Sequence, residues 1–168
     1  MIDPFLIWLE STAFSAWIRE SPSVFSFPAI LSLHTIGMGL VAGINAALDL
    51  CLLGCAPRVQ VSELRRFLPA VWFGFWLNAA SGVVLLIGYP TKAVTNPVFY
   101  VKLMCIALAI LLLRRVTPRL SDGSVVEGER IPGRLRLLAV ASLVCWTAAI
   151  TAGRLLAYTY SRLMATGF

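Results

Sequence analysis

The sequence predicts an all-α fold: a four-helix transmembrane bundle preceded by an N-terminal interfacial amphipathic helix, in one integral membrane domain of residues 1–168. Hydrophobic residues make up 59% of the chain and charged residues only 13%, whereas soluble domains carry about 25% charged residues. Four apolar stretches are close to or above the roughly 20 residues that a helix needs to cross a bilayer. Together, these observations leave no room for a separate soluble domain.

The predicted spans are separated by short polar or basic segments. Span three begins after Asn96, a favoured N-cap residue, with Pro97 at the first helical position. It ends at the pair Arg114 and Arg115. The apolar stretches place the four spans at about residues 25–54, 69–88, 97–115 and 135–160.

Residues 4–19 are predicted to form the interfacial helix. Most of its surface is aromatic or aliphatic, with Trp8 and Trp17 suited to the headgroup layer. The segment is too short and too polar to serve as a fifth span. Its narrow polar strip consists of Ser11, Thr12, Ser15 and Arg19.

Basic residues concentrate in two of the loops between spans. One loop is flanked by Arg58, Arg65 and Arg66, and the other lies between residues 114 and 136. Because positively charged loops remain on the cytoplasmic side, this pattern predicts a multi-pass membrane protein with both basic loops in the cytoplasm and both termini on the outer side. The net charge of +6 is thereby assigned to membrane orientation and not to nucleic-acid binding.

Small residues recur on the predicted spans and predict closely packed helices. Gly39 and Gly43 lie four apart in span one, and Ala79 and Gly82 lie three apart in span two. Such spacing allows the backbones of neighbouring helices to approach each other in a membrane.

Span one carries an unusual polar stripe. His34, Met38, Asn45 and Asp49 fall within about 60° of one another on a helix of 3.6 residues per turn. Ionisable groups in a membrane helix usually face the bundle interior or a cavity. The stripe is therefore expected to face protein and not lipid.

The other spans offer polar partners at a depth similar to that of His34, the only histidine. An excess of positive charge around an imidazole favours an anionic cofactor such as haem b, with His34 bound to iron and Lys102 and Arg154 paired with its propionates. Met104 is the predicted second axial ligand, and copper is the second choice of cofactor. The candidate cofactor site consists of His34, Met38, Asn78, Lys102, Met104 and Arg154.

A purely structural role accounts for the same residues. An intramembrane histidine is as often a hydrogen-bonded packing residue as a ligand, and Lys102 and Arg154 would then extend to the headgroups. Thr147, Thr151, Arg154 and Tyr158 lie on one face of span four, where threonine hydroxyls can bond to their own helix.

The cytoplasmic end of span one is assigned a structural role. Asn45 is expected to make an interhelical hydrogen bond. Asp49 is expected to pair with Arg58, Arg65 or Arg66. The chain has no nucleophile–base pair, paired carboxylates or phosphate loop, so no enzyme activity is expected.

Several short sequence motifs of this chain resemble those of other membrane proteins. The interfacial helix is followed by the pair Leu33 and His34, a glycine-rich turn at Gly43, and an Asp-Leu-x-Leu-Leu-Gly ending at residues 49–54. Span three opens with an Asn-Pro pattern followed by Lys102. In these features the chain resembles an uncharacterised family of small four-helix bacterial inner-membrane proteins, and more loosely copper-resistance D-type and b-type cytochrome membrane domains. The resemblance implies a four-helix protein of the bacterial inner membrane without an assigned activity, and with the predicted orientation both termini would lie in the periplasm.

These observations predict a small accessory subunit of a larger membrane complex, associated with electron transport and binding a haem b or copper through His34. The alternative is a structural or assembly subunit without a cofactor, whose polar stripe packs against a partner. In either case the expected partners are the lipid bilayer and other membrane subunits or further copies of the chain.

Overall fold

The computed structural model describes residues 4–56, 61–121 and 131–165. Within these ranges every regular element is helical, which agrees with the predicted all-α fold. A single 3₁₀ turn, Arg65–Phe67, directly precedes α5. The α-helices are α1 (Pro4–Glu10), α2 (Ala13–Glu20), α3 (Phe27–Leu53), α4 (Val61–Leu64), α5 (Leu68–Gly88), α6 (Pro90–Val94), α7 (Pro97–Ser121) and α8 (Gly133–Ala165).

Four helices of the described ranges are long and apolar enough to cross a membrane. They correspond to the four predicted spans, and each buries only part of its surface within the chain. The four segments are Phe27–Leu53, Arg65–Gly88, Pro97–Pro118 and Gly133–Leu156.

Helix α7 begins as predicted but ends later. The Asn96 Oδ1 atom accepts a hydrogen bond from the Val98 backbone N at 3.0 Å, so Asn96 caps the helix. The helix continues beyond Arg115 to Ser121 and contains Pro118. Apolarity limits the part of a helix that can lie in hydrocarbon, whereas arginine is a good helix former. The basic pair therefore marks the end of the apolar span and not the end of the helix.

The long helices pack as two close pairs joined through a third contact. Helix α3 packs against α5, α7 packs against α8, and α3 also packs against α8. Helices α5 and α7 make no comparable contact with each other. The buried apolar cluster follows these contacts and includes Val41, Leu48, Leu52, Val71, Leu113 and Trp146.

The closest approach of two helix backbones is between α3 and α5. A Cβ atom added to Gly37 would lie 2.7 Å from the Asn78 backbone N and 2.9 Å from the Gly74 O. A Cβ atom on Gly74 would lie 2.7 Å from the Leu40 Cβ. Glycine is therefore required on both sides of this contact.

The glycines expected to mediate packing in span one are not the ones that do. Gly39 and Gly43 have no atom within 4 Å of an added Cβ, so they face open space. Gly37, two residues before Gly39, lies on the face that meets α5. Spacing of small residues identified a glycine-rich helix but not the face that packs.

The N-terminal segment forms two helices instead of the predicted single helix over residues 4–19. The Ser11 and Thr12 hydroxyls donate to the backbone O atoms of Trp8 (2.7 Å) and Leu9 (2.8 Å), at the end of α1. Thr12 Oγ1 also accepts from the Ser15 backbone N at 3.3 Å and caps α2. Hydroxyl side chains that bond to nearby backbone atoms compete with helix continuation, which accounts for the break.

Helices α1 and α2 are fastened to the end of α5 by Arg19. Its Nη1 donates to Ser15 Oγ (2.7 Å) and to the Gly88 O (3.1 Å), and its Nη2 donates to the Glu10 O (3.0 Å). Thr91 Oγ1 donates to Glu10 Oε2 at 2.6 Å. We call Glu10, Ser15, Arg19, Gly88 and Thr91 the clasp, and the end of the bundle where they lie the clasp end.

Substituting Gly37 by Ala is expected to destabilise the fold by about 1–3 kcal/mol or more, because the methyl group would overlap the α5 backbone. The matched substitution Gly39→Ala meets open space and should be neutral or stabilising. Thermal unfolding of both variants in detergent measures the difference. Equal midpoints for the two variants would contradict the α3–α5 contact.

Substituting Arg19 by Met is expected to loosen α1 and α2 by about 1–2 kcal/mol, because the Gly88 carbonyl loses a charged donor. Hydrogen exchange of residues 4–20 should accelerate about tenfold, with the spans unaffected. The control Glu20→Gln removes only an exposed partner of Arg19, 3.8 Å away. If both variants exchange alike, the bonds of Arg19 to the backbone do not hold the segment.

Candidate functional site

The His34 side chain is fixed against α5 by two groups. Its Nδ1 lies 3.0 Å from the Asn78 O and 3.1 Å from Ser81 Oγ. Asn78 Nδ2 in turn donates to the His34 O at 2.8 Å. Gly82 leaves room for the ring, since a Cβ atom there would lie 3.2 Å from His34 Cε1. The imidazole is therefore held in one orientation.

These contacts determine which ring nitrogen carries the hydrogen. A backbone carbonyl can only accept, so Nδ1 of His34 donates to the Asn78 O. The Ser81 hydroxyl donates to the Leu77 O at 2.6 Å, which leaves its oxygen to accept from the ring. The other nitrogen, Nε2, therefore presents a lone pair away from α5.

Lys102 extends from α7 to that lone pair. Its Nζ lies 3.4 Å from His34 Nε2, and an ammonium group can only donate. Gly153 of α8 lies beside the lysine, where an added Cβ would be 3.7 Å from Nζ. Both His34 and Lys102 are half-buried within candidate spans. The contact joins α3, α7 and α8 at one level of the bundle.

The charge of Lys102 is not balanced by the part of the chain that the structure describes. Arg19 forms ion pairs with Glu10 (3.8 Å) and with Glu20 (3.8 Å), and no ion pair joins Lys102 to a carboxylate of the described residues. The polar contact of Lys102 is with an uncharged imidazole. An ammonium group in a span without a counter-charge is costly.

Three of the six residues predicted to form a cofactor site lie together: His34, Asn78 and Lys102. Met38 lies one turn further along α3 and packs against the apolar core. Met104 is 58% exposed, and Arg154 is also exposed. Met104 follows Lys102 by two residues, a rotation of about 200°, so it leaves α7 on the opposite side. The structure adds Ser81, Gly82 and Gly153 to the cluster.

In the observed arrangement both ring nitrogens of His34 have polar partners within the chain. Its Nδ1 is bonded to α5, and its Nε2 faces the Lys102 ammonium group. Met104, the expected second axial ligand, lies on an exposed surface. Within the described ranges there is also no group of three or more His, Cys, Asp or Glu side chains placed to hold a metal.

A second polar cluster lies between α3 and α8, toward the opposite end of the bundle. Asn45 Nδ2 donates to Ser142 Oγ at 2.8 Å, which is the interhelical bond expected of Asn45. Asp49 is hydrogen-bonded to the Ser142 side chain as well. All three side chains are buried. The stripe on α3 therefore divides between two neighbours, with His34 turned to α5 and α7 and the Asn45–Asp49 pair turned to α8.

The arginine partner predicted for Asp49 is not found among the described residues. Asp49 is buried, forms no ion pair in these ranges, and has Ser142 as its partner. Arg65 and Arg66 are exposed, and the Arg66 Cζ lies 5.0 Å from the centre of the Phe67 ring. Arg58 lies outside the described residues. The exposed guanidinium groups of Arg65 and Arg66 remain hydrated, whereas pairing with a buried acid would cost part of that hydration.

The polar face predicted for span four is exposed and not part of either cluster. Thr151, Arg154 and Tyr158 are exposed, and Thr147 Oγ1 donates to the Leu143 O of its own helix at 2.8 Å. Back-bonding of this kind removes the hydroxyl from interhelical contacts. The buried residues of α8 near this level are Ser142, Trp146, Ala149 and Ala152.

Comparison with known proteins gives no match: no family model, no curated protein and no solved structure is similar to this chain. The geometry of the two clusters is accordingly the basis for assigning a function.

Substituting Asn78 by Ala is expected to destabilise the bundle by about 0.6–1.7 kcal/mol, since an interhelical hydrogen bond to the His34 O is lost. Ser81→Ala should cost less, because Nδ1 of His34 keeps the Asn78 carbonyl. The measurement is unfolding in mixed micelles. A larger effect of Ser81→Ala would mean that the hydroxyl and not the amide secures the imidazole.

Proposed function

We propose that this chain is a small non-catalytic subunit of the bacterial inner membrane that binds the anionic group of a membrane-embedded molecule through Lys102 and His34. The observation that carries the proposal is the Lys102 ammonium group, which lies within a candidate span with an uncharged imidazole nitrogen 3.4 Å away as its polar partner.

Electrostatics favour an anionic ligand at this position. Lys102 is the sixth residue of α7 and lies short of the centre of its span, where insertion scales give a cost of about 2.5–3.5 kcal/mol for lysine; ionisable residues within spans usually pair with one another. The described part of the chain supplies no carboxylate to Lys102. A phosphate or carboxylate from outside the chain would complete the pair, and charge-assisted bonds to such groups are among the stronger ones.

The packing of the helices supports a route by which a ligand in the bilayer could reach Lys102 from the side of the bundle. Helices α5 and α7 carry the groups on either side of His34, yet they do not pack closely against each other. Gly82 and Gly153 keep the surroundings of the imidazole and the ammonium group free of bulky side chains. A molecule in the bilayer would therefore reach Lys102 between α5 and α7 without passing through a loop.

The anionic group has two chemical sources within this proposal: a lipid phosphate or the carboxylate of a cofactor such as a haem propionate. The association with electron transport expected from the sequence corresponds to the second source. In that case the propionate would bind Lys102, while His34 would have to exchange the lysine for iron, because its Nε2 cannot serve both.

A structural subunit without a ligand is the second candidate function, favoured by the surface of α7. Only 11% of its apolar span is buried within the chain, the smallest share of the four. Exposed side chains on this helix include Tyr100, Leu103, Leu108 and Leu111. A partner subunit could cover this face, as could lipid.

The test is the content of anionic molecules in purified protein. Wild type, Lys102→Met, His34→Ala and Lys92→Met are extracted in mild detergent, and bound lipid and haem are quantified by native mass spectrometry and by a reduced-minus-oxidised spectrum. Lys92, on α6, controls for the loss of one positive charge at the clasp end. We expect about one anionic molecule per chain in wild type and Lys92→Met, and at least tenfold less in Lys102→Met.

The outcomes separate the candidate functions. A phospholipid lost only in Lys102→Met identifies the lipid as the ligand, and a haem band lost in both Lys102→Met and His34→Ala identifies the cofactor. Equal content in Lys102→Met and Lys92→Met refutes the anion site. If all variants are free of ligand but retain the same partner subunits, the structural function stands instead.

A further inference from the structure

An apolar groove lies between α7 and α8 and opens toward the outside of the bundle. Its volume is about 590 Å³, which is within the range of roughly 300–1,000 Å³ that ligand sites occupy. Thr147 is part of its wall, but the threonine hydroxyl is already bonded to the Leu143 O of its own helix. The groove therefore suits a hydrocarbon chain. Its aliphatic lining includes Val98, Val101, Val144, Ala148, Ala152 and Leu155.

The length of the groove matches the depth of one leaflet of a bilayer. Along α8 its lining extends from Leu143 to Leu155, which corresponds to about 18 Å at 1.5 Å per residue. The candidate span of α8 ends at Leu156, so the groove runs from the end of that span to near its middle. The hydrocarbon of one leaflet is about 15 Å thick, half of a core of roughly 30 Å. An extended acyl chain of one leaflet would therefore fit along the groove.

A positive charge without a counter-charge lies at the end of the groove nearest the clasp end. Arg154 is exposed, and no ion pair joins it to a carboxylate of the described residues. It follows Thr147 by seven residues, so the two side chains leave α8 within about 20° of each other. Tyr158 has the same relation to Thr151, which also lines the groove. A guanidinium group and a phenol hydroxyl are thus available as donors where the groove meets the headgroup layer.

We infer that this groove binds one phospholipid, with an acyl chain between α7 and α8 and the phosphate at Arg154 and Tyr158. The planar guanidinium group can donate two parallel hydrogen bonds to a phosphate, and these charge-assisted bonds are strong. Neither Lys102 nor His34 lines the groove. The lipid site is therefore separate from the anion site proposed at Lys102 and does not depend on it.

Charge disfavours a second copy of the chain as the occupant of the groove. Two copies that meet through the same face are related by a two-fold axis. Because both copies have the same orientation in a membrane, this axis would follow the membrane normal and bring the two Arg154 side chains to the same depth. Like charges at close range repel each other, whereas a phosphate attracts the guanidinium group. The exposed charge at the end of the groove thus favours lipid.

The experiment maps where an acyl chain contacts the full-length protein. The protein is reconstituted in phosphatidylcholine vesicles with a small fraction of phosphatidylglycerol that carries a photoreactive diazirine on one acyl chain. Illumination links this lipid to neighbouring residues, and mass spectrometry of peptides quantifies the label at each position. In wild type the label should concentrate at residues 98–101 and 143–155, which include the two walls of the groove.

Two variants each remove one part of the site. Arg154→Gln removes the charge, and the label in the groove should fall about fivefold, the effect of one basic residue at a membrane surface. Ala148→Phe fills the groove and should reduce the label to a similar extent. The matched controls, Arg134→Gln and Ile150→Phe, change exposed residues of α8 that do not line the groove, so they should label as wild type does.

Arg154→Gln replaces an exposed side chain, so it decides the matter if Ala148→Phe does not fold. Lys102→Met should leave the label in the groove unchanged even where it abolishes anion binding at Lys102. The two proposals can therefore fail separately. Loss of the label in Lys102→Met would overturn a separate lipid site.

Three further results would overturn the lipid site. The first is a label of equal strength on every exposed face of the four spans, because lipid would then only surround the bundle. The second is an unchanged label in Arg154→Gln. The third is a groove without label in a protein whose Thr151→Cys variant forms disulfide-linked dimers that wild type does not form, because a second copy would then cover this face.

Discussion

The contact between Gly37 and Gly74 is the constraint on which the polar chemistry of this bundle depends. Side chains at either position would meet backbone atoms of the opposite helix, so the backbones of α3 and α5 lie close together. His34 lies one turn before Gly37, and Asn78 lies one turn after Gly74. Because the helices are antiparallel, this closeness puts the imidazole against the Asn78 carbonyl at 3.0 Å.

With α3 fixed in this way, its polar residues have unequal environments. His34 is hydrogen-bonded on both ring nitrogens, whereas Asp49 retains an oxygen without a partner. The two residues are 15 positions apart, which corresponds to roughly 22 Å along the helix axis. Lys102, beside His34, is therefore too distant to neutralise Asp49. Each charge has to be balanced at its own end of the bundle.

The sequence was sufficient to predict the number of spans and the cap of α7, because length, apolarity and the Asn96-Pro97 pair act locally. It also predicted that the stripe on α3 faces protein. The face of a helix that meets a given neighbour depends on the whole packing, so spacing alone indicates Gly39 and Gly43 although Gly37 makes the contact with α5. The exposure of Met104 could have been anticipated, since 200° of rotation separates it from Lys102.

Two further differences between the predicted and the observed structure arise because nearby groups compete for the same hydrogen-bond partners. The amino-acid composition does not show which group succeeds. Two hydroxyl residues, Ser11 and Thr12, bond to backbone atoms and divide an amphipathic segment that has no proline or glycine at the break. Likewise, Asp49 takes a serine of α8 as its partner although three arginines lie nearer in sequence. In both places a hydrogen bond between atoms that are close in space decides the structure, and not the amphipathic or charge pattern of the sequence.

The clasp also imposes an order on biogenesis. Ser15 and Gly88 are separated by 73 residues, and the side chain of Ile18, which is fully buried, packs on Gly88 as well. Helices α1 and α2 are synthesised before α5, so their docking site is absent until the second candidate span has been completed. The segment is therefore complete well before the surface on which it docks.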